Sequence, residues 1–269
     1  MHALSTFARA ALIAASLCLP TLAYAEDKAD KADYALHTKL LDATVTIDAA
    51  LKSFPGLYDN LLAEGKRAAA KWNAQAEDDK KKYPDMFRGD RRQEYDRGYS
   101  QRSVVAGRYV SILRGDYVDG GGAHPNHFTD TILWDAKLKK RISIRPFFRE
   151  TASDGPTLTR LAKAVRAALA VEKKARDVPV KDPDADEALA SVKPDLTKIG
   201  GVALAPSAEA GKSSGLLFYF SPYAVGAYVE GSYVVFVPWT AFKTDLSPEG
   251  EAIFAGERLK DDDKQDDNG

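Results

Sequence analysis

VVAGRYVSILRGDYVDGGGAHPNHFTDTILW, residues 104–134, is the stretch on which the reading of the fold turns. Its first ten residues, Val104 to Leu113, are rich in β-branched and aromatic side chains and are interrupted by Gly107, which predicts one bent strand or two short ones. Its last seven, Phe128 to Trp134, alternate well enough for a further strand, and Asp135 to Lys139 supply a turn into Ile142–Ile144, so a hairpin is the natural join. Between them stands Asp119-Gly120-Gly121-Gly122-Ala123-His124-Pro125-Asn126-His127. Three successive glycines are an entropic liability, kept where positive φ or close backbone approach is needed. Pro125 stiffens the far side and Asn126 favours a tight turn. The segment therefore reads either as a tight connection between strands or as a rigid loop displaying His124 and Asn126 to a partner.

Upstream, Thr44–Ile47 is a short β-branched run. After Pro55-Gly56 a helical period begins: Leu57, Leu61, Ala68, Trp72 and Ala76 form one apolar stripe, with Glu64, Lys66, Arg67, Lys71 and Glu77 expected in water. The helix should end near Lys82, before Tyr83-Pro84. Residues 85–102 alternate Arg with Asp and Glu and read as a solvated, internally neutralised connector. Downstream, Gly155-Pro156 opens a second amphipathic helix through Leu158, Leu161, Val165, Ala168, Leu169 and Glu172, ending near Arg176 with Lys173 and Lys174 where the helix dipole favours cations. Residues 177–200, with three prolines, read as an excursion holding one short helix at Ala185–Val192. Val202–Leu204, Leu216–Phe220 and Tyr233–Val237 are the remaining strands. The pattern predicts an α+β protein of two halves, each laying a helix on a mainly antiparallel sheet, divided near Asp116.

The whole chain has 269 residues, 38 basic against 39 acidic, 45% hydrophobic and one cysteine, so it is neither disordered nor disulfide-stapled. Arg9, the apolar run Ala10–Leu19 and Ala23-Tyr24-Ala25 read as a cleavable signal peptide over 1–25, which directs the chain to the periplasm or the exterior. Cleavage removes Arg9 and Cys18, leaving 37 basic against 39 acidic residues and no thiol chemistry. Near neutrality argues against nucleic acid as a partner, and no later stretch is apolar enough for a transmembrane anchor. Residues 26–43 and the acidic tail 257–269 are expected to be flexible, because neither buries enough apolar surface to offset its ordering entropy.

No catalytic motif survives inspection. Gly211-Lys212-Ser213-Ser214-Gly215 matches G-x-S-x-G, but a loop precedes it, a strand follows it, and the chain holds no histidine after the serine. The same segment imitates a phosphate loop, except that Pro206 stands where the first glycine is required. His124 and His127, with Asp119 or Asp130, are the only metal set worth weighing. The alternative they define is a metal-assisted cell-wall hydrolase. Otherwise no cofactor is expected.

Tyr117, Gly121-Gly122-Ala123-His124-Pro125-Asn126, the strand Phe128–Trp134, the Ile144–Phe148 turn, and Tyr223-Ala-Val-Gly-Ala-Tyr228-Val-Glu-Gly231 before Val235–Pro238 together resemble the RsiV-type extracellular domain. The preceding half, residues 44–115, resembles the PdaC-type domain that commonly stands before it, which leaves 116–256 as the RsiV-like part. RsiV-type proteins bind lysozyme with this outer domain. The resemblance thus implies an exported, non-catalytic envelope protein that binds a lysozyme-like muramidase or peptidoglycan. It would do so through Gly121, Gly122, Ala123, His124, Asn126, Tyr223, Tyr228 and Gly231. A purely structural envelope component is the remaining possibility. The chain shows no sigma-binding segment and no deacetylase motif, so neither activity is carried over.

Overall fold

The first strands, β1 (Tyr34–His37) and β2 (Leu41–Ile47), pair antiparallel, and the chain then crosses over through helix α1 (Leu57–Lys82). That crossover makes the pairing of β2 with β3 (Gln93–Val105) parallel. From β3 onward the sheet is a meander, through β4 (Tyr109–Asp119) and β5 (Asn126–Asp135) to β6 (Lys140–Ile142), in the spatial order β1-β2-β3-β4-β5-β6. This computed structural model describes residues 32–260 and residue 262; the expected signal peptide and Cys18 lie outside the described residues.

Helix α1 has the expected limits. Its seam against the sheet is Leu57, Leu61, Gly65, Ala69 and Ala76, with Ala68 and Trp72 only partly covered. Gly65 is there for proximity, since a Cβ at that position would stand 2.5 Å from Val45 Cγ1. Glu64, expected in water, is instead largely buried between α1 and the sheet, where Arg97, Arg114 and Arg141 converge on its carboxylate. Burial opposes its ionisation, but the three guanidinium groups more than offset that and hold the carboxyl below its ordinary range.

The stretch from residue 93 to residue 102 is a strand rather than a connector. Gln93, Tyr95, Arg97 and Tyr99 point to the helix side at period two, and Arg97 can be buried because Asp116, directly opposite on β4, takes it with paired hydrogen bonds. Val104–Leu113 resolves into a hairpin. Residues 106–108 connect its strands, with Ala106 and Gly107 at φ +53° and +60° as the left-handed pair at the centre of a turn closed by the Arg108 N–H donating to the Val105 carbonyl at 3.0 Å. The expected division near Asp116 falls within β4, and the sheet continues through it, with Asp116 opposite Arg97 on one side and Phe128 on the other.

The second helix, α2 (Pro156–Ala175), lies on a three-stranded antiparallel sheet of β7 (Gly201–Pro206), β8 (Ser213–Phe220) and β9 (Tyr233–Pro238), followed by a short helix α3 (Pro248–Ile253). Every residue of β8 is buried. Leu216, Phe218 and Phe220 share a core with Leu158, Leu161, Val165 and Leu169 of α2. Leu217 and Tyr219 instead join Ala203, Ala205 and Leu113, against the large sheet. The layers are therefore helix, sheet, sheet, helix, and the four aliphatic side chains of α2 contribute about 1.5–3 kcal/mol each by leaving water. The α+β class with one helix on each sheet is as the sequence implies.

Both expected flexible ends are partly structured. Residues 34–37 and 41–43 lie in β1 and β2. At the other end, Asp262 is 4% exposed, with its carboxylate between Arg102 of β3 and Arg258. A sequence reading sees only the acidic run, whereas Arg102, the buried guanidinium group that receives Asp262 together with the nearby Arg258, stands 160 positions earlier. Among the described residues, no helix is long and apolar enough to cross a membrane.

Candidate functional site

The glycine segment is the connection between β4 and β5, and the pairing of Val118 with Asn126 sets its width. Asp119 starts the turn by accepting the Gly121 N–H at 2.8 Å, and Gly121 follows at φ +77°, a conformation that glycine adopts without steric cost. Gly121, Gly122, Ala123 and His124 are all exposed.

The second predicted segment is folded against the first. The chain leaves β8 at Phe220. Ser221 then locks onto β5, its hydroxyl accepting the Thr129 N–H at 2.8 Å and donating to the Thr129 carbonyl at 3.2 Å. Seven residues later the Tyr228 hydroxyl donates to the Pro125 carbonyl at 2.9 Å, and His124 Nδ1 approaches the same oxygen at 2.9 Å. The His124 and Tyr228 rings stack with centroids 4.1 Å apart, and Tyr223 adds a third ring 5.3 Å from Tyr228. With Nδ1 donating, Nε2 is the nitrogen of His124 left without a partner. Gly121, Gly122, Ala123, His124, Tyr223 and Tyr228 thus belong to one surface, and Gly231 closes the second segment at φ +74°. Asn126 is partly buried as the first residue of β5, a structural position beside the exposed loop.

The patch is apolar and wet. Tyr223 is 64% exposed and Val229 is 91% exposed. Tyr223 also stands at φ +70°, unusual for an aromatic residue and a mark of a segment fixed by its surroundings.

What fixes it is Glu230, which sequence reasoning did not single out. Its carboxylate receives Lys173 from the last turn of α2, the Ala227 N–H at 2.7 Å and the Tyr233 hydroxyl at 2.7 Å. Lys173 and the other donors hold the Glu230 carboxyl down at about 2, against the burial that opposes ionisation. Burial and the neighbouring carboxylate push the Tyr233 phenol up to about 12. Arg176 completes the clamp by donating to the carbonyls of Glu230 and Ser232. Lys173 is itself only 2% exposed, so its role is a buried ion pair more than a dipole partner. Nothing in the local sequence marks Glu230, because its partner lies 57 positions away.

The serine and the histidines that the sequence offers as reactive groups are buried or turned apart. Ser213 of the G-x-S-x-G match is fully buried, its hydroxyl shared between the carbonyls of Ala205 and Gly215. His124 and His127 turn to different tyrosines, the His127 ring lying 5.1 Å from Tyr117. Asp119 is engaged with the Gly121 backbone and Asp130 with Arg114. Among the described residues, no three of His, Cys, Asp and Glu gather into a group able to hold a metal ion. A cleft of about 360 Å³ lies between β5, β6 and the start of β7, and its only ionisable lining residue is the same Asp130.

Among the solved structures similar to this chain are two of one described family. One is a DUF3298 family member from Bacteroides fragilis NCTC 9343, 15% identical with a TM-score of 0.48, covering 78% of this chain and 87% of its own. The other is a DUF3298 family protein from Pseudomonas aeruginosa PAO1, 14% identical with a TM-score of 0.49, covering 81% and 88%. No curated protein matches the chain. Residues 151–240, the stretch carrying α2, the three-stranded sheet and the Tyr223–Gly231 half of the surface, match the family described as "Protein of unknown function (DUF3298)".

Proposed function

We propose that this is an exported, non-catalytic envelope protein that binds a macromolecular partner with the surface made by the 120–127 loop and the 223–231 segment. The observation that carries the reading is the stack of the exposed His124 ring on the half-buried Tyr228, with exposed Tyr223 beside it, on two clamped segments. Rigid aromatic side chains supply contact area at low entropic cost, and two exposed glycines, Gly121 and Gly122, let a partner's backbone come close. A lysozyme-like muramidase and peptidoglycan are the two partners this surface is offered to, since the stack covers one face of each ring and leaves His124 and Tyr223 exposed. Export is supported by Arg9, the apolar run after it and Ala23-Tyr24-Ala25. The absence of catalysis is supported by the buried Ser213 and the divergent histidines.

The test is retention of the purified protein on immobilised lysozyme and, separately, on peptidoglycan sacculi. We expect binding to lysozyme at micromolar concentration, lost in a Tyr223→Ala, His124→Ala double variant whose circular dichroism is unchanged. Retention on sacculi alone would replace the muramidase with the glycan. Retention on neither, or equal binding by the double variant, would overturn the proposal.

A further inference from the structure

The opposite end of β5 carries a second exposed feature. At its C-terminal end the chain turns through Ala136-Lys137-Leu138-Lys139 into β6, with Asp135 opposite Lys140. The turn is rigid. The Asp135 carboxylate accepts the backbone N–H groups of Lys137 at 2.9 Å and Leu138 at 3.0 Å, and Arg108 neutralises the same carboxylate through paired hydrogen bonds. Lys139 closes it at φ +52°. Leu138 is left 52% exposed at the apex.

Around that leucine stand Lys137, Lys139 and Lys140, all exposed and none with a carboxylate partner among the described residues. Arg145, in the helical turn that follows β6, is exposed and has no carboxylate partner among the described residues. The acidic groups nearby are already taken: Asp135 and Glu249 by Arg108, Glu64 by Arg141, and Glu251 by Arg149. A chain of nearly zero net charge thus concentrates three uncompensated cations and one bare aliphatic side chain on a single hairpin. At physiological salt the Debye length is about 8 Å, so an approaching surface senses this local charge and not the molecular total.

We propose that the β5–β6 turn docks the protein on an anionic lipid surface, with Leu138 entering the headgroup region while the three lysines meet lipid phosphates. The combination distinguishes a bilayer from a soluble anionic polymer, since a polymer rewards the lysines but offers Leu138 nothing apolar to enter. β5 is ten residues long, about 30 Å at the usual rise, and the His124–Tyr228 surface lies at its other end. A molecule seated by the turn would hold that surface away from the membrane.

Co-sedimentation of the full chain with mixed phosphatidylglycerol–phosphatidylcholine vesicles tests this, with pure phosphatidylcholine vesicles and soluble polyphosphate as controls. We expect half-binding at about millimolar lipid on the mixed vesicles, weakened by salt, and none on pure phosphatidylcholine. Lys137→Glu, Lys139→Glu, Lys140→Glu should lower binding at least tenfold. Leu138→Ala should lower it severalfold and Leu138→Trp should raise it. The Tyr223→Ala, His124→Ala variant should bind vesicles unchanged, which separates this proposal from the preceding one. Equal binding by the lysine variant, or no binding to the mixed vesicles, would overturn the proposal. Polyphosphate binding insensitive to Leu138, with vesicle binding equally insensitive, would overturn it in favour of a polyanion.

Discussion

The two helix-on-sheet layers each enclose a charged group, but they use it differently. On α1, Glu64 is surrounded by guanidinium groups from β3, β4 and β6, so one helical carboxylate ties three strands of the large sheet together. On α2, Lys173 meets a single acid, Glu230, which belongs to a connection and not to a strand. The first cluster holds the scaffold. The second holds the loop that positions Tyr228 and Tyr223. Stability and site geometry should therefore separate by layer.

The largest effect is expected from Gly65→Leu, which drives a side chain into Val45 at the closest approach of α1 to the sheet; a loss of about 3 kcal/mol should appear as failed or strongly destabilised folding in urea titration. Next comes Glu64→Gln, which leaves Arg97, Arg114 and Arg141 around a neutral group. We expect about 2–3 kcal/mol in the same measurement, with partner retention per folded molecule unchanged. If retention fell with stability in that variant, the two layers would not be separable.

Glu230→Gln should cost as much, about 2–3 kcal/mol, and in addition abolish partner retention, because Lys173 loses its anion and the Ala227 N–H and Tyr233 hydroxyl are left with one amide oxygen to share. The same group gives a pH signature. Its carboxyl is depressed in the folded state to about 2 from an ordinary value of 4.5, so its contribution is complete above 4.5 and is lost as pH falls toward 2. The Glu230→Gln protein should accordingly show a shallower decline in stability over that window. The smallest effect is expected from Gly231→Ala, at about 1 kcal/mol, since φ +74° strains any side chain while nothing lies within 4 Å of the added carbon.

Much of this was legible in the residues. Pro55-Gly56 and Pro84 bracket α1, and Gly155-Pro156 opens α2, because those residues restrict the backbone whatever surrounds them. The strand from Gln93 was hidden. Its period-two face includes Arg97, whose burial depends on Asp116 across the sheet, and a one-dimensional reading sees only another charge. Asp262 was hidden for the same reason, since the cations that bury it include Arg102, 160 positions earlier. At the candidate site, the exceptional residues of both segments could be read, and the structure places them together. The hydrogen bonds that join them could not be, because the Ser221 hydroxyl and the Pro125 carbonyl have partners 92 and 103 positions away.

One of the two outer strands of the small sheet, β7, has a consequence for the chain among its own copies. β7 has only β8 beside it, and a bare rim of that kind recruits foreign strands. Here the outward N–H of Leu204 is received by the Ser111 hydroxyl at 3.0 Å and its carbonyl accepts from Ser103 at 2.6 Å. Two hydroxyls of the neighbouring sheet thereby occupy the position an intruding backbone would need, and protection against fibrillar self-association is built into the way one layer is laid upon the other.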